Sequence, residues 1–292
     1  MRPYRIFTDS CCDLDAEMAN KIDVEVLPLK FTVNGKEYAN YLDGRDMSSD
    51  EFFKLLRSGA EFRTAAINIS EFEDAFTEAI KNGEDVIYIG FSSAMSSTYS
   101  SAKIAAEELN EEYPDSKIYA IDSLCGSVGQ GLMCYLASQK AKEGATIDEL
   151  RDYVEQTKSH LCHWFSVDDL NFLKRGGRVS AAAALVGSVL GIKPILHNNN
   201  DGMLVRTGIV RGRAQALKTI VDKMESLAVN PSEQTVFIGH TDCIDDALSV
   251  KADVMKRFGI PDEKVYISCS GPVISSHTGP GTIAVFFIGS ER

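Results

Sequence analysis

Short apolar runs alternate with capped amphipathic stretches, and that rhythm narrows the possible folds more than anything else in the chain. YRIFTDS (4–10), VEVLPLKFTV (24–33), DVIYIGF (85–91) and KIYAIDS (117–123) read as strands, rich in β-branched and aromatic residues. CCDLDAEMANKI (11–22) reads as a helix start, with Asp13 and Asp15 near its positive end. SSDEFFKLLRSG (48–59) begins at a cap and stops at a glycine, and ISEFEDAFTEAIKNG (69–83) does the same, with Ser70 as cap and Gly83 as stop. SSTYSSAKIAAEELNEEY (96–113), SVGQGLMCYLASQKAKEG (127–144) and TIDELRDYVEQTKSH (146–160) are further helices. Strand–helix alternation of this kind predicts an α/β fold, a mostly parallel sheet with helices on both faces. Ligands then bind at the carboxyl ends of the strands, and the polar clusters TDS, FSSAMSS and IDSLCGS should gather there.

The second half has a different rhythm. AAAALVGSVLGIKPIL (181–196) reads as a small-residue helix leading to a strand, and NNNDG between apolar segments predicts an antiparallel hairpin. MLVRTGIV, TVFIGHT, KVYISCSGP and TIAVFFIG are strands, with helices RGRAQALKTIVDKMESL and IDDALSVKADVMKRFG between them. This predicts two domains: an α/β domain over residues 1–158 and an α+β domain over 159–292.

Composition excludes several functions. The chain has 292 residues and a net charge of −12, with 42 acidic against 30 basic residues. An acidic surface is poorly suited to nucleic acid or to an anionic membrane. No apolar run approaches the ~20 residues that span a bilayer, and the N-terminus lacks the pattern of a signal peptide. The seven cysteines follow no framework spacing, so a reducing cytoplasm is expected. Cys162–His163 has no second ligand pair, so neither a metal nor any other cofactor is expected.

Four stretches could carry chemistry. VIYIGFSSAMSSTYSSA (86–102) places seven Ser or Thr residues in eleven positions at the end of a buried strand. Helix capping accounts for one serine; a helix start rich in hydroxyls and free amides also makes an anion site. In KRGGRVS (174–180) two glycines form a tight turn that aims Arg178, and arginine grips a carboxylate with a bidentate fork. In SSHTGPG (275–281), read as a stiff loop, His277 sits among hydroxyls and can hydrogen-bond a ligand. In FRTAAINIS (62–70), read as a loop joining two helices, Thr64 has little bulk around it. Neither G-x-x-x-x-G-K-[ST] nor G-x-G-x-x-G occurs, which argues against a phosphate-loop or dinucleotide site.

Together, IFTDSCCDL, FSSAMSSTYSSA, YAIDSLCGSVGQG, LNFLKRGGRVS, LVRTGIVRGRAQAL and SSHTGPGTIAVFF resemble the DegV family, bacterial fatty-acid-binding proteins. The resemblance implies two α/β domains and a long-chain fatty acid such as palmitate, stearate or oleate, its tail in an apolar tunnel. By family position, Thr64 and Ser93 would hold the carboxylate, with Ser96, Arg178 and His277 close by. Two departures stand out: TAAINIS replaces the family's TSQPS, and Ser97 stands where SGTY has glycine. Some relatives present the acid to a separate kinase subunit, related to dihydroxyacetone kinases, for phospholipid synthesis. The expected function is therefore a non-catalytic carrier. The alternative is a serine-dependent hydrolase or other enzyme on a small acyl or phosphorylated substrate, with Ser93 as nucleophile and His277 as base.

Overall fold

The computed structural model describes residues 2–179 and 191–292. Its strands are β1 (Tyr4–Asp9), β2 (Val24–Leu27), β3 (Lys30–Val33), β4 (Lys36–Ala39), β5 (Phe62–Ala65), β6 (Asp85–Phe91) and β7 (Ile118–Cys125), then β8 (Leu161–Ser166), β9 (Ile192–Asn198), β10 (Leu204–Arg211), β11 (Val236–His240), β12 (Val265–Cys269) and β13 (Ile283–Ile288). Its helices are α1 (Ala16–Lys21), α2 (Ser49–Arg57), α3 (Ile69–Lys81), α4 (Thr98–Glu112), α5 (Val128–Lys142), α6 (Ile147–Thr157), α7 (Asn171–Arg175), α8 (Arg213–Leu227), α9 (Ile244–Phe258) and α10 (Pro272–Thr278). The helix read over 181–190 and Ser180 lie outside the described residues.

β2, β1, β6 and β7 form a wholly parallel sheet in that order. Every residue of β6 is buried, as a central parallel strand covered on both faces requires. Alternation sorts its side chains. Val86 and Tyr88 join Phe7, Phe72 and Phe76 under α3 and α4, while Ile87 and Ile89 join Ile6, Leu132 and Leu150 under α5 and α6.

The VEVLPLKFTV segment is not one strand. Proline has no N–H to donate, and the run breaks at Pro28. β2 stays in the parallel sheet, while β3 pairs antiparallel with β4 and β5 in a separate small sheet. Asn34 and Gly35, with φ of 51° and 79°, make the tight β3–β4 turn that NG predicts. This sheet makes the first four residues of FRTAAINIS a strand, β5, and leaves 66–68 as the loop before α3.

Caps also differ in detail. Asn68, not Ser70, caps α3: its Oδ1 accepts from Glu71 N at 3.0 Å, and Glu71 Oε2 accepts from Asn68 N at 3.0 Å. Asp15 caps α1, accepting from Met18 N. Asp13 is not at a helix start; it is buried in a left-handed turn with φ 48°.

The second sheet runs β10-β9-β8-β13-β11-β12, antiparallel except for β11–β12. β9 and β10 form the hairpin expected at NNNDG. α8 and α9 cover one face. The other face meets α5, so Leu132 shares one apolar cluster with Ile87 of the first sheet and with Phe165, Phe237 and Phe286 of the second. Only the second half of SSHTGPG is a loop: Ser275–Thr278 belong to α10, which begins at Pro272, and the GPG turn follows from its C-cap Gly279, whose φ of 77° a side chain would strain. Among the described residues, no helix is long and apolar enough to cross a membrane.

Candidate functional site

The polar strand ends do gather along the carboxyl edge of the parallel sheet, and several of their groups tie the scaffold together. Asp9 ends β1 fully buried. Its Oδ2 accepts from Tyr88 Oη (2.6 Å), Phe91 N (3.0 Å) and Gln130 Nε2 (3.1 Å), and its Oδ1 from Cys11 N (3.0 Å). Ser92, the first serine after β6, donates to Gly202 O at 2.9 Å in the β9–β10 turn. Ser10 Oγ accepts from Leu29 N.

Beside this edge lies a cavity of about 230 Å³. Leu29, Phe91, Met95, Phe165, Leu204 and Phe286 contribute apolar wall, and Thr64, Ser96, Ser97, Arg178 and His277 contribute polar groups. These residues come from distant parts of the chain. Along β5, Phe62 and Thr64 are half-buried and Arg63 and Ala65 are exposed, with Thr64 and Ala65 both at the cavity. Thr64 Oγ1 lies 2.9 Å from His277 Nε2 on α10. Arg178, after α7, donates from Nε to Met95 O at 3.1 Å and from Nη1 to Gly176 O. Gly176 leaves room for the imidazole: a methyl group there would fall 2.2 Å from His277 Nδ1.

Burial, reinforced by the Arg178 charge, pushes His277 down to about 4, so its ring is neutral near pH 7. The unfolded chain titrates near 6.5, so His277 favours folding fully above that pH. Its contribution is lost as pH falls toward about 4, with a ceiling of about 3 kcal/mol. Urea titrations of wild type and His277→Gln at pH 7.5 and 4.5 should show a shallower acid loss in the variant; equal losses would overturn this assignment.

Ser93 is not brought to the cavity. Its residue is exposed on the turn after β6, and its backbone N–H donates to Asp122 Oδ1 at 3.2 Å. The chain turns inward only at Met95, so Ser96 and Ser97 line the cavity instead. Ser96 Oγ accepts from Thr98 N at 3.2 Å at the start of α4, whereas Ser97, at the N-cap, makes no side-chain capping bond. Ser93 as nucleophile with His277 as base requires hydrogen-bonding reach; Nε2 of His277 faces Thr64.

Sequence reasoning missed a second group of hydroxyls. Ser127 and Ser270 line the cavity, and Ser127 Oγ donates to Asp13 Oδ2 at 2.6 Å. Asp13 Oδ1 accepts from Gly271 N at 2.9 Å, joining the entry to α10 to the first sheet. Burial pushes the Asp13 carboxyl up to about 7 against these hydrogen bonds. The signal was CCDLD itself, because an acid among buried cysteines needs internal donors.

Cys162 and His163 lie on opposite faces of β8, Cys162 in the α8–α9 core and His163 on the cavity. All seven cysteines are free, and the described residues contain no cluster of His, Cys, Asp and Glu suited to a metal ion.

A three-sheet α/β frame with a largely apolar cavity and a Thr–His–Arg cluster is the architecture of a small-molecule-binding protein. The chain belongs to the DegV family: the family model described as "Uncharacterised protein, DegV family" matches residues 3–290. It is 42% identical to a DegV domain-containing protein of Clostridium perfringens over 292 residues, covering 100% of this chain and 99% of that one. Among solved structures it is similar to a fatty-acid-binding DegV family protein from Thermus thermophilus, with 27% identity, a TM-score of 0.86 and coverage of 99% and 100%. It is also similar to a DegV lipid-binding protein from Thermotoga maritima, with 25% identity, a TM-score of 0.85 and coverage of 99% of each chain.

Proposed function

We propose that this protein binds one long-chain fatty acid and carries it, without chemistry of its own, to a separate ATP-dependent kinase subunit in the cytoplasm. The observation that carries the reading is the Thr64–His277 pair beside Arg178 at an otherwise largely apolar cavity. A buried carboxylate needs donors and an opposite charge, because an uncompensated one is expensive. Arg178 supplies the charge, and Thr64 and the neutral His277 supply hydrogen bonds. The Ser96–Ser97 turn supplies further hydroxyls. The tail supplies affinity through burial, at about 0.8 kcal/mol per CH₂. The similar proteins described as binding lipid or fatty acid support the same reading. So does the absence of a phosphate-binding loop from the sequence, since ATP would then belong to the partner. Residues 1–158 and 159–292 act as two units that close on the head group from both sides.

Denaturing mass spectrometry of an organic extract of the purified protein tests this. One equivalent of a long-chain fatty acid is expected. An extract free of lipid, both before and after incubation with a fatty-acid mixture, would overturn the proposal.

A further inference from the structure

Two buried polar side chains on the cavity wall have atoms that pair with no described residue. They are His163 of β8 and Asn198 of β9, each 2% exposed. Among the described residues, Nε2 of His163 and Nδ2 of Asn198 have no hydrogen-bond partner. Such orphans are uncommon in folded proteins, and each calls for a physical explanation.

The two residues are neighbours. β8 and β9 pair antiparallel through Phe165↔Leu196 and Trp164↔His197, so the next step along the ladder sets His163 beside Asn198. Across the other edge of β8, His163 pairs with Phe286, whose ring it meets edge-on at 5.2 Å. Leu204 pairs with Asn198. The two polar groups are thus set among Phe165, Phe286 and Leu204, on strands that carry none of Thr64, His277 and Arg178.

Their chemistry is complementary. Nδ1 of His163 lies 3.0 Å from Leu161 O, and a carbonyl only accepts, so Nδ1 carries the proton. Nε2 is therefore a lone-pair acceptor, and burial holds the ring neutral. Nδ2 of Asn198 is a donor. α5 presents Gly129 to the imidazole edge, where a methyl group would come within 2.5 Å of Nε2. One free acceptor and one free donor on adjacent strands match a group that both donates and accepts. A carboxylate only accepts and an ammonium only donates; a hydroxyl does both.

We propose that His163 and Asn198 form a second polar subsite, which takes a hydroxyl group carried on the acyl chain, so that the cavity selects hydroxy fatty acids. This rests on the fatty-acid reading above. A hydroxyl buried against apolar wall leaves its hydrogen bonds unmade and weakens binding roughly tenfold or more. At the matching chain position the same hydroxyl donates to His163 Nε2 and accepts from Asn198 Nδ2.

The test measures the affinity of the delipidated full-length protein for stearate and for hydroxystearates with the hydroxyl at successive positions. One position should bind roughly tenfold tighter than its neighbours and tighter than stearate. In the His163→Phe/Asn198→Leu variant that order should invert, with stearate gaining affinity and the favoured isomer losing it. Two results would overturn the subsite: a series in which no isomer exceeds stearate, or a preference that survives in the variant. The wild-type series decides the question even if the variant does not fold. Failure of stearate itself to bind would instead remove the fatty-acid reading.

Discussion

Asp9→Ala is expected to destabilise the protein by about 4 kcal/mol or more, lowering Tm by roughly 8 °C or more. The change leaves three buried donors without their acceptor, Tyr88 Oη, Phe91 N and Cys11 N, while Gln130 Nε2 loses one partner and keeps Thr8 Oγ1 at 2.9 Å. Each stranded donor costs about 1–3 kcal/mol, partly relieved by deleting a carboxyl group that is itself costly to bury. Asp9→Asn retains a carbonyl oxygen and should lose less than half as much. Thermal melts of both variants decide it. A Tm within about 2 °C of wild type for Asp9→Ala would show that the network contributes little. The neighbourhood leaves no slack for repair, since a methyl on Gly90 would already fall 2.5 Å from the Tyr88 ring.

Arg178→Met should weaken stearate binding about 100-fold or more, measured near pH 8. The variant removes the positive charge from a part-buried position beside His277 and leaves the carboxylate with neutral donors only. Stearyl alcohol, which has the same tail and no charge, should lose far less. Arg178→Lys restores the charge without the planar fork and should recover part of the affinity. Equal losses for acid and alcohol would mean that Arg178 shapes the loop through Met95 O and Gly176 O and does not neutralise the head group.

Elements governed by near neighbours were legible in the sequence. β6 reads as a buried strand because its apolar run is unbroken, and the Asn34–Gly35 turn is specified by two residues that tolerate positive φ. α6 carries its own capping box in Thr146 and Glu149. Arg178, His277 and Thr64 stand out by residue type, and all three line the cavity.

What the sequence hid lies in long-range pairing. Thr64 reads as a loop residue because a four-residue strand has no visible period; only pairing with Phe31 makes it β5 and turns its hydroxyl toward His277, 213 residues away. The serine run shows the same limit. Seven hydroxyl residues look alike in one dimension, and the chain's path after Phe91 points Ser92 into the hairpin, Ser93 to solvent and Ser96 and Ser97 to the cavity. The sequence alone thus determined the α/β class, the turns, most helices and the residue types available to a head group, since these follow from local backbone preference and periodicity. Which of those groups share a cavity was decided by the tertiary structure alone, because burial and hydrogen-bond pairing depend on strand registers that link residues far apart in the chain.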